Sequence, residues 1–196
     1  MELREQRFGI EIEMTGITRA GAAKVAATYF GTRSEYVGTY YQTYAAVDQE
    51  GRQWKFMSDG SIRAEKKVNG EKRAAGAVYR TEMVSPICRY EDIEKIQELI
   101  RELKKKGAIV NESCGIHVHI DASPFDAGKL RNLTNIMAAK EDLIYKALGV
   151  SVERQHRWCR PVEERFLEEL NRRRPTSMEA VEEIWYNGRS RRGIIV

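Results

Sequence analysis

The stretch Ile116-His117-Val118-His119-Ile120-Asp121 most restricts the fold, because apolar and ionisable residues alternate along it without a break. A helix would scatter these side chains around its axis, whereas a strand sorts them onto two sides. Ile116, Val118 and Ile120 are then expected in a core, with His117, His119 and Asp121 on the opposite side. Two of the chain's three histidines fall here. Neutral imidazoles beside a carboxylate suit a divalent cation or a phosphate group.

Phe8-Gly9-Ile10-Glu11-Ile12-Glu13-Met14 has the same period. Phe8, Ile10, Ile12 and Met14 take one face, and Glu11 and Glu13 the other. Adjacent carboxylates on a strand repel unless a cation or basic group lies between them. Metal ligation and an exposed acidic edge strand are the two readings of this stretch. In Thr81-Glu82-Met83-Val84-Ser85-Pro86, Glu82 shares a face with Val84 and Pro86 ends the strand. Glu82 is therefore a candidate ligand, an edge position being the alternative.

Between these strands, residues 18–30 read as an alanine-rich helix with Val25, Ala26 and Tyr29 as its apolar stripe and Gly31 as its stop. The aromatic segment from Tyr36 to Tyr44 favours strand, for sheet packing or for stacking on a ring. Residues 45–57 read as a hairpin turning near Glu50-Gly51, with Trp54 and Phe56 opposed to Lys55 and Met57. The second strand runs into a tight turn at Asp59-Gly60. Lys55, just before that turn, could reach a phosphate or a carboxylate. Residues 63–76 read as an exposed charged loop.

Residues 90–106 form the surest helix, with Ile93, Ile96, Leu99, Ile100 and Leu103 at helical spacing and Gly107 closing it. A second long helix is expected over residues 126–148, with Leu130, Leu133, Ile136, Met137, Leu143 and Ile144 on its apolar side. Past Gly149 the strand signals stop. Pro161 opens a helix over residues 162–172, and Thr176-Ser177-Met178-Glu179 caps a last one through Tyr186. The tail Gly193-Ile194-Ile195-Val196 is β-prone. The division expected is a core over residues 1–150 with a helical extension of the same domain over 151–196.

At 196 residues the chain can bury a real core. No run approaches the roughly 18 apolar residues of a membrane helix, and the first residues lack a signal peptide's apolar centre. A cytoplasmic protein with no membrane partner is expected. Three cysteines at irregular spacing argue against a disulfide framework. The arginines at 172–174 and 189–192 could bind nucleic acid, although a solvated helix end is the commoner reason for such runs. Cys114, His117 and His119, with His156 and Cys159, could instead hold zinc. A metal-dependent hydrolase using the His-x-His pair, or a non-catalytic binding module, would be further alternatives.

Taken together, Phe8-Gly9-Ile10-Glu11-Ile12-Glu13, Trp54-Lys55 through Asp59-Gly60-Ser61-Ile62, Thr81-Glu82-Met83-Val84-Ser85-Pro86 and Cys114-Gly115-Ile116-His117-Val118-His119 resemble, in order and spacing, the amidoligase family. The segment from Glu153 to Pro161 resembles the family's next stretch of chain. Its members are bacterial and phage-associated, in the carboxylate–amine/ammonia ligase superfamily with glutamine synthetase and glutamate–cysteine ligase. The resemblance implies an α+β, glutamine-synthetase-like fold, a curved antiparallel sheet backed by helices, followed here by a helical C-terminal part. It also implies ATP-dependent amide formation through an acyl phosphate, as in peptide modification, from small-molecule or peptide carboxylates and amines.

Carried over by motif, Glu11, Glu13 and Glu82 would hold Mg²⁺ or Mn²⁺ together with His119 or His117. Asp59 and Lys55 would lie near substrate or phosphate. Family members continue into further strands with an Asn-containing segment and a Glu-x-Arg strand. No such strand precedes Val196, and Arg189, Arg191 and Arg192 sit on none. Truncation, a partner chain or second copy completing the site, and a degenerate member are the three readings of that departure.

Overall fold

The alternating segments become strands of one antiparallel sheet in the computed structural model, which describes residues 2–186. The elements run β1 (Phe8–Met14), α1 (Arg19–Phe30), β2 (Ser34–Gly38), β3 (Thr43–Val47), β4 (Gln53–Met57), β5 (Glu65–Val68), β6 (Glu71–Ala74), β7 (Thr81–Val84), α2 (Asp92–Lys105) and β8 (Ile116–Ile120). Four helices complete the order: α3 (Ala127–Leu148), α4 (Val152–Arg157), α5 (Glu164–Arg173) and α6 (Met178–Tyr186). The chain forms two compact units, one ending at Asp121 and one beginning at Ala122. Helix α3 thus groups with the C-terminal helices, whereas the sequence reading drew the division at residue 150. The fold is α+β.

The six-stranded sheet has the order β2-β3-β4-β7-β1-β8, with every neighbouring pair antiparallel. One face is apolar. Phe8, Ile10, Ile12 and Met14 of β1 pack there with Trp54, Phe56 and Met83, beneath α1 and α2. Trp54, Phe56 and Met83 are wholly buried, each contributing about 2–3 kcal/mol in transfer from water.

The Thr18 hydroxyl caps α1 by accepting from the Gly21 N–H, and Gly31 ends it in the left-handed conformation. Its buried side is Ala22, Ala23, Ala26, Ala27 and Phe30. Of the expected stripe, only Ala26 is fully covered, and Val25 and Tyr29 are half-buried. Small side chains let the helix lie close to the sheet, so alanines displace the larger residues from the contact. Helix α2 buries Ile96, Leu99 and Leu103.

Two sequence expectations fail in instructive ways. Ile116, Val118 and Ile120 do lie on the apolar side but are 63%, 56% and 51% exposed, not in a core. Among the described residues β8 is an edge strand, and the side chains of Val118 and Ile120 line an open trough against Ile93, Ile96 and Ile100 of α2. Residues 65–74, expected as loop, form the β5–β6 hairpin. Asn69 and Gly70 both take positive φ at its tip, as a two-residue hairpin turn requires.

Behind the β3–β4 turn lies an ion-pair network. Arg52 donates to both oxygens of Asp92 and to Asp48, and the Trp54 indole N–H also donates to Asp48. The Arg52 guanidinium lowers the Asp92 carboxyl to about 2, against the opposing effect of burial. The stabilisation, about 2 kcal/mol, is present above pH 4 and lost as the pH falls through 2. Arg52→Ala is expected to cost about 3 kcal/mol, because it removes the main partner of two buried carboxylates and leaves Lys95 as their cation. The urea midpoint at pH 7 measures this, and an unchanged midpoint would contradict it.

In the second unit, Asp126 caps α3 through the Lys129 N–H, and Gly149 closes it in the left-handed conformation. Ala127, Leu170, Val181 and Ile184 form its core with Leu130 and Phe166. The packed end of α3 is therefore its N-terminal one, and Leu133, Ile136, Met137 and Leu143, expected on an apolar side, are exposed. Helix α4, capped by Ser151, lies within the expected helical extension, ahead of the two helices that the sequence delimits there. Of the arginine run, Arg172 and Arg173 both pair with Glu169. The run at 189–192 and the tail at 193–196 lie outside the described residues. Among the described residues no helix is long and apolar enough to cross a membrane.

Candidate functional site

Opposite the apolar face, strand register brings the ionisable residues into rows. Glu11 stands opposite His117 on one side and Val84 on the other, and Val84 stands opposite Lys55. One row along, Glu13 pairs with Glu82, and Glu82 with Met57. Directly paired residues share a face, so Glu11, Glu13, Glu82, His117 and Lys55 all belong to the same side of the sheet. His119, opposite Gly9, joins them.

The acidic groups converge in two sets. Glu11, Glu82 and His117 each offer an atom within 4.8 Å of the others, and so do Glu13, Asp59 and Glu82. Glu82 belongs to both. The His117 Nδ1 lies 3.1 Å from Glu11 Oε2, and the His119 Nε2 lies 3.3 Å from Glu11 Oε1, but His119 enters neither set. Lys55 is exposed and two strands from Glu11, about 10 Å at ordinary strand spacing. Cys114 is in neither set, and its thiol contacts Asn111 Oδ1 at 3.6 Å.

Supporting contacts fix Glu13 and Asp59. Glu13 is only 4% exposed. Its Oε2 accepts from the Gly115 N–H at 2.6 Å, and its Oε1 accepts from the Ser61 hydroxyl at 3.3 Å. Asp59 Oδ1 accepts from the Ser61 N–H at 2.6 Å, closing the turn, and buried Ile62 anchors it. Arg63 and Asn111 tie this turn to the segment before β8. The Arg63 N–H donates to Ser113 Oγ, Asn111 Nδ2 donates to the Arg63 carbonyl, and the Arg63 guanidinium pairs with Glu112 at 2.6 Å. Sequence reasoning missed Ser61 and Gly115, which bear no charge. Their signal was position, Ser61 after a DG turn and Gly115 just before the His-bearing strand.

Four carboxylates crowd this face. Among the described residues, Lys and Arg make no ion pair with Glu11, Glu13, Asp59 or Glu82, and the only cation-capable partners are the two histidines on Glu11. Burial pushes the Glu82 carboxyl up to about 7, and the charges of Glu11, Asp59 and Glu13 push in the same direction. Such crowding is costly until a proton or a cation relieves it. Oxygen donors with one imidazole match a hard divalent cation of the Mg²⁺ or Mn²⁺ type.

A family model described as "Putative amidoligase enzyme" matches residues 4–194, nearly the whole chain. No curated protein and no solved structure matches it.

Proposed function

Because this chain belongs to the amidoligase family, we propose that it is an ATP-dependent carboxylate–amine ligase with a glutamine-synthetase-like site on the open face of its sheet. The observation that carries this reading is Glu82, a buried carboxylate common to two converging ligand sets. Glu11, Glu82 and His117 would hold one divalent cation, and Glu13, Asp59 and Glu82 a second. Bound there, Mg²⁺ or Mn²⁺ would gather phosphate oxygens and neutralise charge as a phosphoryl group moves.

The chain's own residues supply position. Ser61 and the Gly115 N–H hold Glu13 at a fixed rotamer. Lys55, on the same face, would neutralise a phosphate oxygen beyond the carboxylates. In the reaction, a substrate carboxylate oxygen attacks the γ-phosphorus and ADP leaves. The amine nitrogen then attacks the acyl carbon, phosphate leaves with the bonding pair, and the amine gives up a proton. A carboxylate is a poor acyl donor, so the phosphoryl group is what makes its oxygen leave.

The test is ADP release by the purified chain with Mg²⁺ against a panel of small-molecule and peptide carboxylates and amines. ADP release requiring both a carboxylate and an amine, and abolished by EDTA, is the expected result. Absence of any Mg²⁺-dependent ATP binding would sink the proposal.

A further inference from the structure

The aromatic segment singled out in the sequence divides into two populations. Tyr36 and Tyr44 pack on each other with ring centroids 4.9 Å apart. Tyr40 and Tyr41, in the loop between β2 and β3, meet edge to face at 5.4 Å and are 93% and 50% exposed. Two adjacent tyrosines left in water need a reason, since burying such rings is worth far more than exposing them.

The loop that carries them is held in an unfavourable conformation. Gly38, Thr39 and Gln42 all have positive φ, and for a β-branched residue such as Thr39 that is a true outlier. Arg19 secures it from beneath. This guanidinium is 5% exposed and has no carboxylate partner among the described residues. It donates instead to Gln42 Oε1 and to the carbonyls of Ala77 and Arg80. A buried unpaired cation and a strained turn both oppose folding, and strain of this kind gathers at binding sites.

The loop also adjoins the carboxylates. The Ser58 N–H donates to the Tyr41 carbonyl at 2.9 Å, and the next residue, Asp59, belongs to the second ligand set. Thr43, which ends the loop, hydrogen-bonds Thr39 and begins the strand that leads across β4 to Glu82.

Resting on the nucleotide reading above, we propose that Tyr40 and Tyr41 form a stacking platform for the purine base of ATP, whose phosphates lie at the carboxylate face. Arg19 acts as a positioning residue that keeps the platform preformed. An exposed ring pair offers π-faces without an apolar enclosure, which suits a flat base more than an aliphatic group.

Calorimetric titration with Mg–ATP and with Mg–tripolyphosphate tests this, since the two share phosphates and differ in the base. Tyr40→Ala and Tyr41→Ala are each expected to weaken Mg–ATP about tenfold and to leave tripolyphosphate unchanged. The Phe variants should keep wild-type affinity for both. Unchanged ATP affinity in the Ala variants overturns the platform alone, and so does an equal loss for both ligands. If the wild-type chain binds neither ligand, the ligase reading itself fails.

Discussion

Glu82→Gln is expected to reduce amine-dependent ADP release on the order of a thousandfold and to abolish measurable Mn²⁺ binding. Glu82 contributes to both ligand sets, so its loss opens both at once. Glu11→Gln and Asp59→Asn each remove one donor from one set and should retain weak binding at the other. Among the histidines, His117→Asn is expected to weaken Mn²⁺ more than His119→Asn, because only His117 joins a set. Manganese paramagnetic resonance reads the binding, and coupled ADP assays read the turnover. The fold should survive, since glutamine has the same shape and removes a crowded charge. A Glu82→Gln protein that binds Mn²⁺ like the wild type would contradict the assignment of this residue as the shared ligand.

The second large effect concerns pH. The Glu82 carboxyl is raised from an ordinary value of 4.5 to about 7 by burial and by the neighbouring carboxylates. Between those values the folded chain keeps a proton that the unfolded chain has released. The associated stability is thus fully present below pH 4.5 and is lost as the pH rises through 7. The full difference is about 3 kcal/mol. A divalent cation replaces the proton as the neutralising charge and has most to offer above pH 7. Melting curves with EDTA should fall in Tm from pH 5 to 8, while curves with Mn²⁺ should fall less. Glu82→Gln should flatten the metal-free profile. Asp92 works in the opposite sense but only below pH 4, outside this window. A wild-type protein whose metal-free Tm is flat from pH 5 to 8 would rule the coupling out.

Much of this site was legible because β structure has period two. Alternation alone put Glu11, Glu13, His117 and His119 on faces away from the apolar residues, Glu82 stood out instead for sharing a face with Val84, and the register then joined those faces. Parity says which side a residue takes but not whether anything lies over that side. Ile116, Val118 and Ile120 were expected in a core for that reason, and at the sheet edge they are half exposed. The β5–β6 hairpin was hidden by its charge, although Asn69-Gly70 is the turn signal that reveals it. Nothing local in Thr39 or Gln42 announces a left-handed backbone. Arg19, held by the carbonyls of Ala77 and Arg80, reaches Gln42 from a distant part of the chain, and single-residue preferences do not register such contacts.

The edge position of β8 also bears on how the site holds together. Among the described residues, His117 comes from the only ligand-bearing strand that is supported on a single side, by β1. Such strands are where native proteins open first, at free energies below that of global unfolding. A ligand clasped between His117 and the inner carboxylates would fasten this strand to the rest of the sheet. Occupancy and the integrity of the margin then become one equilibrium, in which each loosening of the strand is also a departure of the ligand.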